Sequence, residues 1–149
     1  MQISHIYGCA PAPIHSAGVD LLDGRRWERA VSRCGDALSL RYFTAHERRG
    51  AQAAASRGCC AIEALGQMFG VKESVVKAVG GLPPGGRLAD ICVRLPDDDS
   101  LGARWPVTLH GALADWAQAR QVEVEAGAVP LDDGMTLAWA TAQAAGATR

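Results

Sequence analysis

The second half of the chain contains four short stretches in which apolar and polar residues alternate. A period of two predicts β-strands that have one apolar face. The stretches are 88–95, 105–110, 122–126 and 135–140. Between the second and third stretches, Leu113, Trp116 and Ala117 recur at helical spacing, which predicts a helix ending near Arg120.

The first part of the chain begins with a predicted strand and then becomes helical. Residues 14–22 favour a short strand that ends near Asp20. Asp23 is placed to cap a helix that continues to Cys34, because a carboxylate before the first turn can accept free backbone N–H groups.

Two further helices are predicted before the alternating region. Thr44, followed by Glu47 three residues later, forms a capping box that predicts a second short helix. Residues 51–79 are rich in helix formers and lack proline, which predicts one long helix, with Gly66 and Gly70 as the places where it could be interrupted. The glycine- and proline-rich segment that follows ends this helix.

Together these elements predict an α+β fold, in which an antiparallel β-sheet is wrapped around a long central helix. The length of 149 residues fits one domain over 1–149, with 1–13 as an irregular N-terminal segment and 144–149 as a flexible tail. The acidic residues 97–99 are expected in a solvated loop.

Composition excludes several classes of function. A formal net charge of -1 gives no overall attraction to nucleic acid or to an anionic membrane. No apolar run approaches the roughly 20 residues of a membrane helix, and the first residues do not resemble a signal peptide, so we expect a cytoplasmic protein. The number of cysteines, 5, is odd, and the cysteines are expected to be buried free thiols, including the adjacent pair Cys59 and Cys60.

Lysine is used at only two positions. Of the 15 Lys and Arg residues, Lys72 and Lys77 are the only lysines, and Glu73 lies between them. A surface ion pair between Glu73 and Lys77, four residues apart on a helix, is the simpler interpretation, with Lys72 as a solvated neighbour. The alternative is functional, because an ammonium group can bind phosphate oxygens or take part in proton transfer.

A functional interpretation of this segment needs a second carboxylate. Glu73 could bind a hard cation through oxygen, and Asp20 at the end of the first strand is the candidate partner. Two carboxylates, a divalent ion and two lysines would suit an anionic substrate that carries phosphate.

Three motifs resemble those of the 4'-phosphopantetheinyl transferases, in particular the holo-[acyl-carrier-protein] synthase type. Gly18-Val-Asp20 is similar to the family's N-terminal Gly-Ile/Val-Asp. Residues 42–47 resemble its Phe-Thr-x-x-Glu element. Residues 69–78 resemble its (Trp/Phe)-x-x-Lys-Glu-(Ala/Ser)-x-x-Lys-Ala signature, and the similarity extends over about residues 16–142.

The resemblance implies transfer of the phosphopantetheine arm from coenzyme A to a serine of an acyl carrier protein in fatty-acid or polyketide biosynthesis. It implies Asp20 and Glu73 as Mg2+ ligands, Glu73, Lys77 and Lys72 as catalytic groups, and the two lysines as phosphate ligands. Arg26 would meet the acidic carrier protein, with Arg25 and Arg29 extending the same patch. An ordinary solvated helix face is the alternative interpretation of these arginines. A homotrimer, common among short members of the family, is also implied.

Two positions depart from the family pattern. Met68 stands where an arginine usually precedes the aromatic residue, and residues 128–134 lack the usual histidine. Two alternatives therefore remain open: a degenerate member that binds carrier proteins without transfer, and a fold reused for an acyl or polyketide substrate. Met68 and Leu131 would suit the less polar pocket of the latter. Of the four histidines, only His15, just before the predicted metal strand, is kept as a weak site candidate.

Overall fold

The computed structural model describes residues 14–97 and 104–146, and these contain five α-helices and six β-strands. The helices are α1 (Gly24–Cys34), α2 (Asp36–Tyr42), α3 (Ala45–Ser56), α4 (Ala61–Val79) and α5 (Gly111–Arg120). The strands are β1 (Ile14–Asp23), β2 (Ile91–Val93), β3 (Arg104–Trp105), β4 (Val107–Leu109), β5 (Val122–Pro130) and β6 (Met135–Ala144). The predicted segment 1–13, the end of the tail and most of the acidic loop lie outside the described residues.

The strands form two antiparallel sheets. The larger sheet has the order β1-β6-β5-β3, and β2 pairs with β4 in a separate ribbon. In the larger sheet Val19 lies opposite Trp139, and Asp20 lies opposite Ala138. Helix α4 packs against one face of this sheet, chiefly against β1 and β6. The predicted α+β fold with an antiparallel sheet around a long helix is therefore confirmed.

One apolar core joins the helices to both sheets. Its buried members include Val71 and Val75 of α4, Ile91 of the ribbon, and Ala138 and Ala140 of β6. Small alanines on the inner face of β6 let the long helix approach the sheet closely, which buries apolar surface on both sides. This packing fixes the position of α4 relative to β1, where the candidate site lies.

The prediction of a single helix over 51–79 is wrong. The chain leaves the helix after Ser56 and starts a new one at Ala61, because Gly58 adopts a φ of 92° and the N–H of Cys59 bonds back to the Ala54 carbonyl. Gly66 and Gly70, the expected interruption points, instead lie within α4.

The break between α3 and α4 also changes the environment of the cysteines. Cys59 and Cys60 lie in the connection and are exposed rather than buried, and Cys34 at the end of α1 is exposed too. The prediction of buried thiols is therefore wrong for these three. The structure also adds α2, and it divides the alternating stretch around Pro106 between β3 and β4, which belong to different sheets. No helix in 14–97 or 104–146 is long and apolar enough to span a membrane.

Candidate active site at the edge of β1

The close approach of β1 to α4 depends on Gly18. A Cβ atom at this position would overlap the backbone carbonyl oxygen of Ser74 and crowd the amide nitrogen of Ala78. Glycine is the one residue without that atom, so it allows the strand to lie directly on the helix. Asp20, two residues later, then points from β1 towards the same helix, where its Oδ2 lies beside Gly70.

Lys77 of α4 reaches across to the edge of β1. Its Nζ donates to Oδ1 of Asp20 at 2.7 Å and to the backbone carbonyl of Val19 at 2.8 Å. The Asp20 side chain is 19% exposed and the Lys77 side chain 48% exposed. The pair therefore lies at an opening to solvent rather than in the core.

Glu73 lies one helical turn before Lys77 and is partly buried. Burial raises the pKa of its carboxyl above the ordinary value, the negative charge of Asp20 raises it further, and Lys77 acts in the opposite direction. Two carboxylates from different elements thus repel each other near one ammonium group. We call Asp20, Glu73 and Lys77 the acidic site.

The donors of the acidic site fit a small divalent cation. No group of three or more His, Cys, Asp or Glu side chains suited to a metal occurs among the residues that the structure describes. Mg2+ does not require such a group, because it is usually held by one or two carboxylates, with waters and substrate phosphates completing its shell. Asp20 and Glu73 would supply those carboxylates.

Lys72 does not join the acidic site, contrary to the expectation of two lysines acting side by side. Its side chain is fully buried, and its Nζ donates to Glu47 and to the carbonyl oxygens of Tyr42 and Leu88 at 2.8–3.2 Å. Lys72 is therefore neither a solvated lysine nor a phosphate ligand, because its ammonium group is bonded only to internal oxygens. Adjacent residues on a helix point in different directions, so Glu73 faces β1 while Lys72 faces α3.

The three arginines proposed to meet a partner lie on α1 and are exposed. Asp23 caps this helix by accepting the N–H groups of Arg25 and Arg26, and this bonding lowers the pKa of its carboxyl. Arg29 follows one turn later. The arginine side chains remain free to form a basic face because the cap uses only their backbone groups.

The two departures from the family pattern have different surroundings. Met68 is 1% exposed and belongs to the core, so it cannot line a substrate pocket as one alternative expected. Leu131 does line a cavity of about 280 Å³, which is bounded by Trp27, Ile62 and Met135. That cavity lies at the start of α4, away from Lys77 near its end.

A groove on the other side of Lys77 was not found by sequence reasoning. Its walls include His15, Trp116 and Arg120 in addition to Lys77. Trp116, which has helical spacing with the buried Leu113 and Ala117, is itself only partly buried. The sequence pattern that could have indicated the groove is the spacing of Trp116 and Arg120, which are four residues apart on one helix.

Comparison with solved structures shows which known proteins share this fold. The fold matches the crystal structure of holo-[acyl-carrier-protein] synthase from Neisseria meningitidis with a TM-score of 0.72, at 22% identity over 88% of this chain and 99% of that one. It also matches a coenzyme A complex of the enzyme from Chronobacterium ammoniagenes with a TM-score of 0.66, at 26% identity over 87% and 96%. No family model matches the chain.

A curated relative identifies the family more closely. Holo-[acyl-carrier-protein] synthase of Alkalilimnicola ehrlichii is 35% identical over 103 residues, which cover 68% of this chain and 75% of that protein. The chain belongs to the holo-[acyl-carrier-protein] synthase family, and it is an enzyme of the transferase type. The predicted family is thereby confirmed.

Proposed function

We propose that this single-domain protein transfers 4'-phosphopantetheine from coenzyme A to a serine of an acyl carrier protein. The observation that carries the proposal is the convergence of Asp20, Glu73 and Lys77 at one opening of the fold. The relative from Alkalilimnicola ehrlichii is named for this activity, and the relative from Chronobacterium ammoniagenes binds coenzyme A.

Asp20 and Glu73 hold Mg2+ in this proposal. Burial raises the pKa of the Glu73 carboxyl and the negative charge of Asp20 raises it further, and a divalent cation would relieve both effects. When bound, the ion would neutralise charge on the pyrophosphate of coenzyme A. Lys77 lies on the same opening with nearly half of its side chain exposed, so its ammonium can turn from Asp20 to a phosphate oxygen.

The transfer is a displacement at phosphorus. The carrier's serine oxygen forms a bond to the phosphorus that bears pantetheine, and the bond from that phosphorus to the bridging oxygen breaks. Adenosine 3',5'-bisphosphate leaves with the bonding electrons, and the serine proton passes to a base. Glu73 and Lys77 are the proposed groups that orient the reactants and help remove the proton. Lys72, enclosed by internal oxygens, positions α4 without touching substrate.

The basic face of α1 is the proposed docking surface for the carrier protein. Arg25, Arg26 and Arg29 are exposed on it. Acyl carrier proteins are acidic, so opposite charges would speed association and orient the carrier's serine towards the acidic site. Neither nucleic acid nor a membrane is a partner in this proposal, since the net charge is -1.

The outer face of the larger sheet supports a homotrimer. Val19 and Leu21 of β1 point away from α4 and are 54% and 58% exposed. Next to them on the same face lie Trp139 and Leu137 of β6. A contiguous apolar face of this kind on a folded chain marks an interaction surface, and a second and third copy are its proposed occupants. We place the enzyme in the cytoplasm and in fatty-acid or polyketide biosynthesis.

One assay tests the activity. The protein is incubated with an apo-carrier protein, coenzyme A and Mg2+, and the carrier is weighed by intact mass spectrometry. The proposal expects the added mass of one phosphopantetheine arm, and no addition when Mg2+ is chelated. Absence of transfer to several carriers, while the protein still binds them, would favour the alternative of a degenerate carrier-binding member.

A further inference from the structure

We infer that Trp27 is a positioning residue, which fixes the docking helix α1 relative to the acidic site through a seat on Gly66 of α4. The inference rests on the proposed function, because α1 carries the face assigned to the carrier protein and α4 carries Glu73 and Lys77. A carrier docked on α1 must present its serine to the acidic site. The placement of α1 on α4 therefore decides where the serine oxygen lies.

Helix α1 is anchored to the rest of the fold by one buried side chain. Trp27 is the single buried residue of this helix, with 6% of its surface exposed. The four arginines of α1 are all exposed, and Val31, one turn after Trp27, is only partly buried. Because close packing of buried side chains is what holds an element in place, the position of α1 depends on how the Trp27 ring is held.

A hydrogen bond and two aromatic rings fix the orientation of the Trp27 indole. Its Nε1 donates to the backbone carbonyl oxygen of Ile62, in the first turn of α4, at 2.8 Å. Its ring stacks on Phe69 with 5.0 Å between centroids and makes a T-shaped contact with Phe43 at 6.2 Å. A buried indole N–H needs an acceptor, so the bond to Ile62 favours one orientation of the ring. The contacts with Ile62 and Phe69 tie the ring to two turns of α4.

Gly66 leaves the space into which the indole fits. A Cβ atom at this position would lie 2.7 Å from Cδ1 of Trp27 and 3.0 Å from its Nε1, so the ring would have to shift. Glycine is unfavourable inside a helix, yet Gly66 lies within α4. The close approach of the indole gives a physical reason for a glycine there, and it makes Gly66 and Trp27 a matched pair.

An open volume beside the indole makes this seat decisive. The cavity of about 280 Å³ at the start of α4 is lined by Trp27 together with Leu22, Ile62 and Met135. Close packing therefore does not hold the ring on that side, and a ring pushed off Gly66 has room to move. Because the ring anchors α1, its movement would carry the helix along. A carrier would still meet the arginines of α1, but its serine would be misplaced relative to the acidic site.

Gly66→Ala tests the seat with the smallest change. We expect it to lower kcat for transfer to the carrier protein by about 10- to 100-fold, because a small misplacement of reacting groups has an effect of this size. KM for the carrier should change much less, since the arginines of α1 remain. Trp27→Leu alone should also lower kcat. The double variant should recover most of the lost kcat, because the smaller side chain leaves room for the added methyl group. Gly50→Ala in α3, where a Cβ atom would meet nothing within 4 Å, is the matched control.

A second measurement does not depend on turnover. Mn2+ at the acidic site should broaden the amide resonance of the serine in a docked apo-carrier protein, because paramagnetic broadening falls steeply with distance. Gly66→Ala should reduce this broadening, while the affinities for the carrier and for coenzyme A, measured by calorimetry, stay the same.

Three results would overturn the inference. The first is a normal kcat and normal broadening in Gly66→Ala. The second is a further loss of kcat in the double variant. The third is a parallel loss of carrier affinity, coenzyme A affinity and unfolding free energy, which would indicate general damage to the fold. A wild-type protein that binds the carrier but transfers nothing would reject the proposed reaction alone, and the broadening would then still test the role of Trp27.

Discussion

Lys72 and Glu47 form an ion pair in the interior of the protein, 3.0 Å apart and with neither side chain exposed. Glu47 also accepts the backbone N–H groups of Thr44 and Val93, so one carboxylate ties the start of α3 to α4 and β2. The two lysines of the signature therefore have separate tasks, one internal and one at the opening. Replacement by methionine should therefore have a different effect at each of the two lysines.

Lys72→Met should lower the free energy of unfolding by about 3–5 kcal/mol, because it leaves the Glu47 carboxylate buried and unpaired. Lys77→Met, at the exposed lysine, is the matched control and should change that free energy by less than about 1 kcal/mol. Urea denaturation of both variants measures the difference. Similar losses of unfolding free energy in the two variants would contradict the internal role of Lys72.

Lys77→Met should affect ligands rather than stability. It should reduce kcat/KM by about 100- to 1,000-fold, as expected when a charged group that stabilises the transferring phosphate is removed. It should also tighten the binding of Mn2+ without coenzyme A, because Asp20 loses its competing ammonium partner. Titration with Mn2+ followed by electron paramagnetic resonance measures this. Unchanged or weaker Mn2+ binding would mean that Lys77 and the ion do not compete.

Glu73→Gln should make the metal-free protein more stable near neutral pH. The folded state raises the pKa of Glu73 above its unfolded value of about 4.5, so between those values the folded state binds the proton more strongly. The free energy of unfolding of the wild-type protein should therefore fall as pH rises through this window. The stability lost in this way is not regained at neutral pH. Glutamine does not titrate, so its advantage should grow from about pH 4 to pH 7. Unfolding curves in chelator measure it, and a constant difference across that range would refute the assignment.

The sequence was sufficient for the elements that local chemistry determines. Asp23 caps α1 and Thr44 forms its capping box with Glu47, both as predicted, because these bonds involve residues two or three apart. The family signature likewise names Asp20, Glu73 and Lys77 as site candidates, and the structure brings these three side chains together.

The elements that depend on distant contacts were harder to predict. The apolar composition of 51–79 concealed the break at Gly58, because glycine is compatible with both a helix and its end until the packing of α3 on α4 decides. Lys72 and Glu73 are neighbours in sequence, yet Lys72 is fully buried and Glu73 is only partly buried. The positions of α3 and β1 determine which of the two side chains is internal. The groove near Arg120 joins residues far apart in sequence.

The basic face of α1 gives a prediction for the carrier protein. Changing Arg25, Arg26 and Arg29 together to glutamate should raise KM for the carrier at least about tenfold and weaken the salt dependence of kcat/KM, because opposite charges no longer steer association. The affinity for coenzyme A should stay the same. Glutamate at Arg49, Arg57 and Arg94, which are exposed and lie outside α1, makes the same change in net charge and is the control. An equal rise in KM for the carrier protein in this control would mean that docking depends on net charge and not on the basic face of α1.

The outer sheet face gives a prediction for assembly. Leu21→Lys should convert a homotrimer to monomers, because burying an unpaired ammonium in an apolar contact costs several kcal/mol in each interface. Leu21 is 58% exposed in the single chain, so the substitution should leave the fold of each copy intact. Leu40→Lys, at an exposed leucine on α2 and outside the sheet, is the control. Sedimentation equilibrium measures the mass, and a variant that keeps the wild-type mass would show that this face does not join the copies.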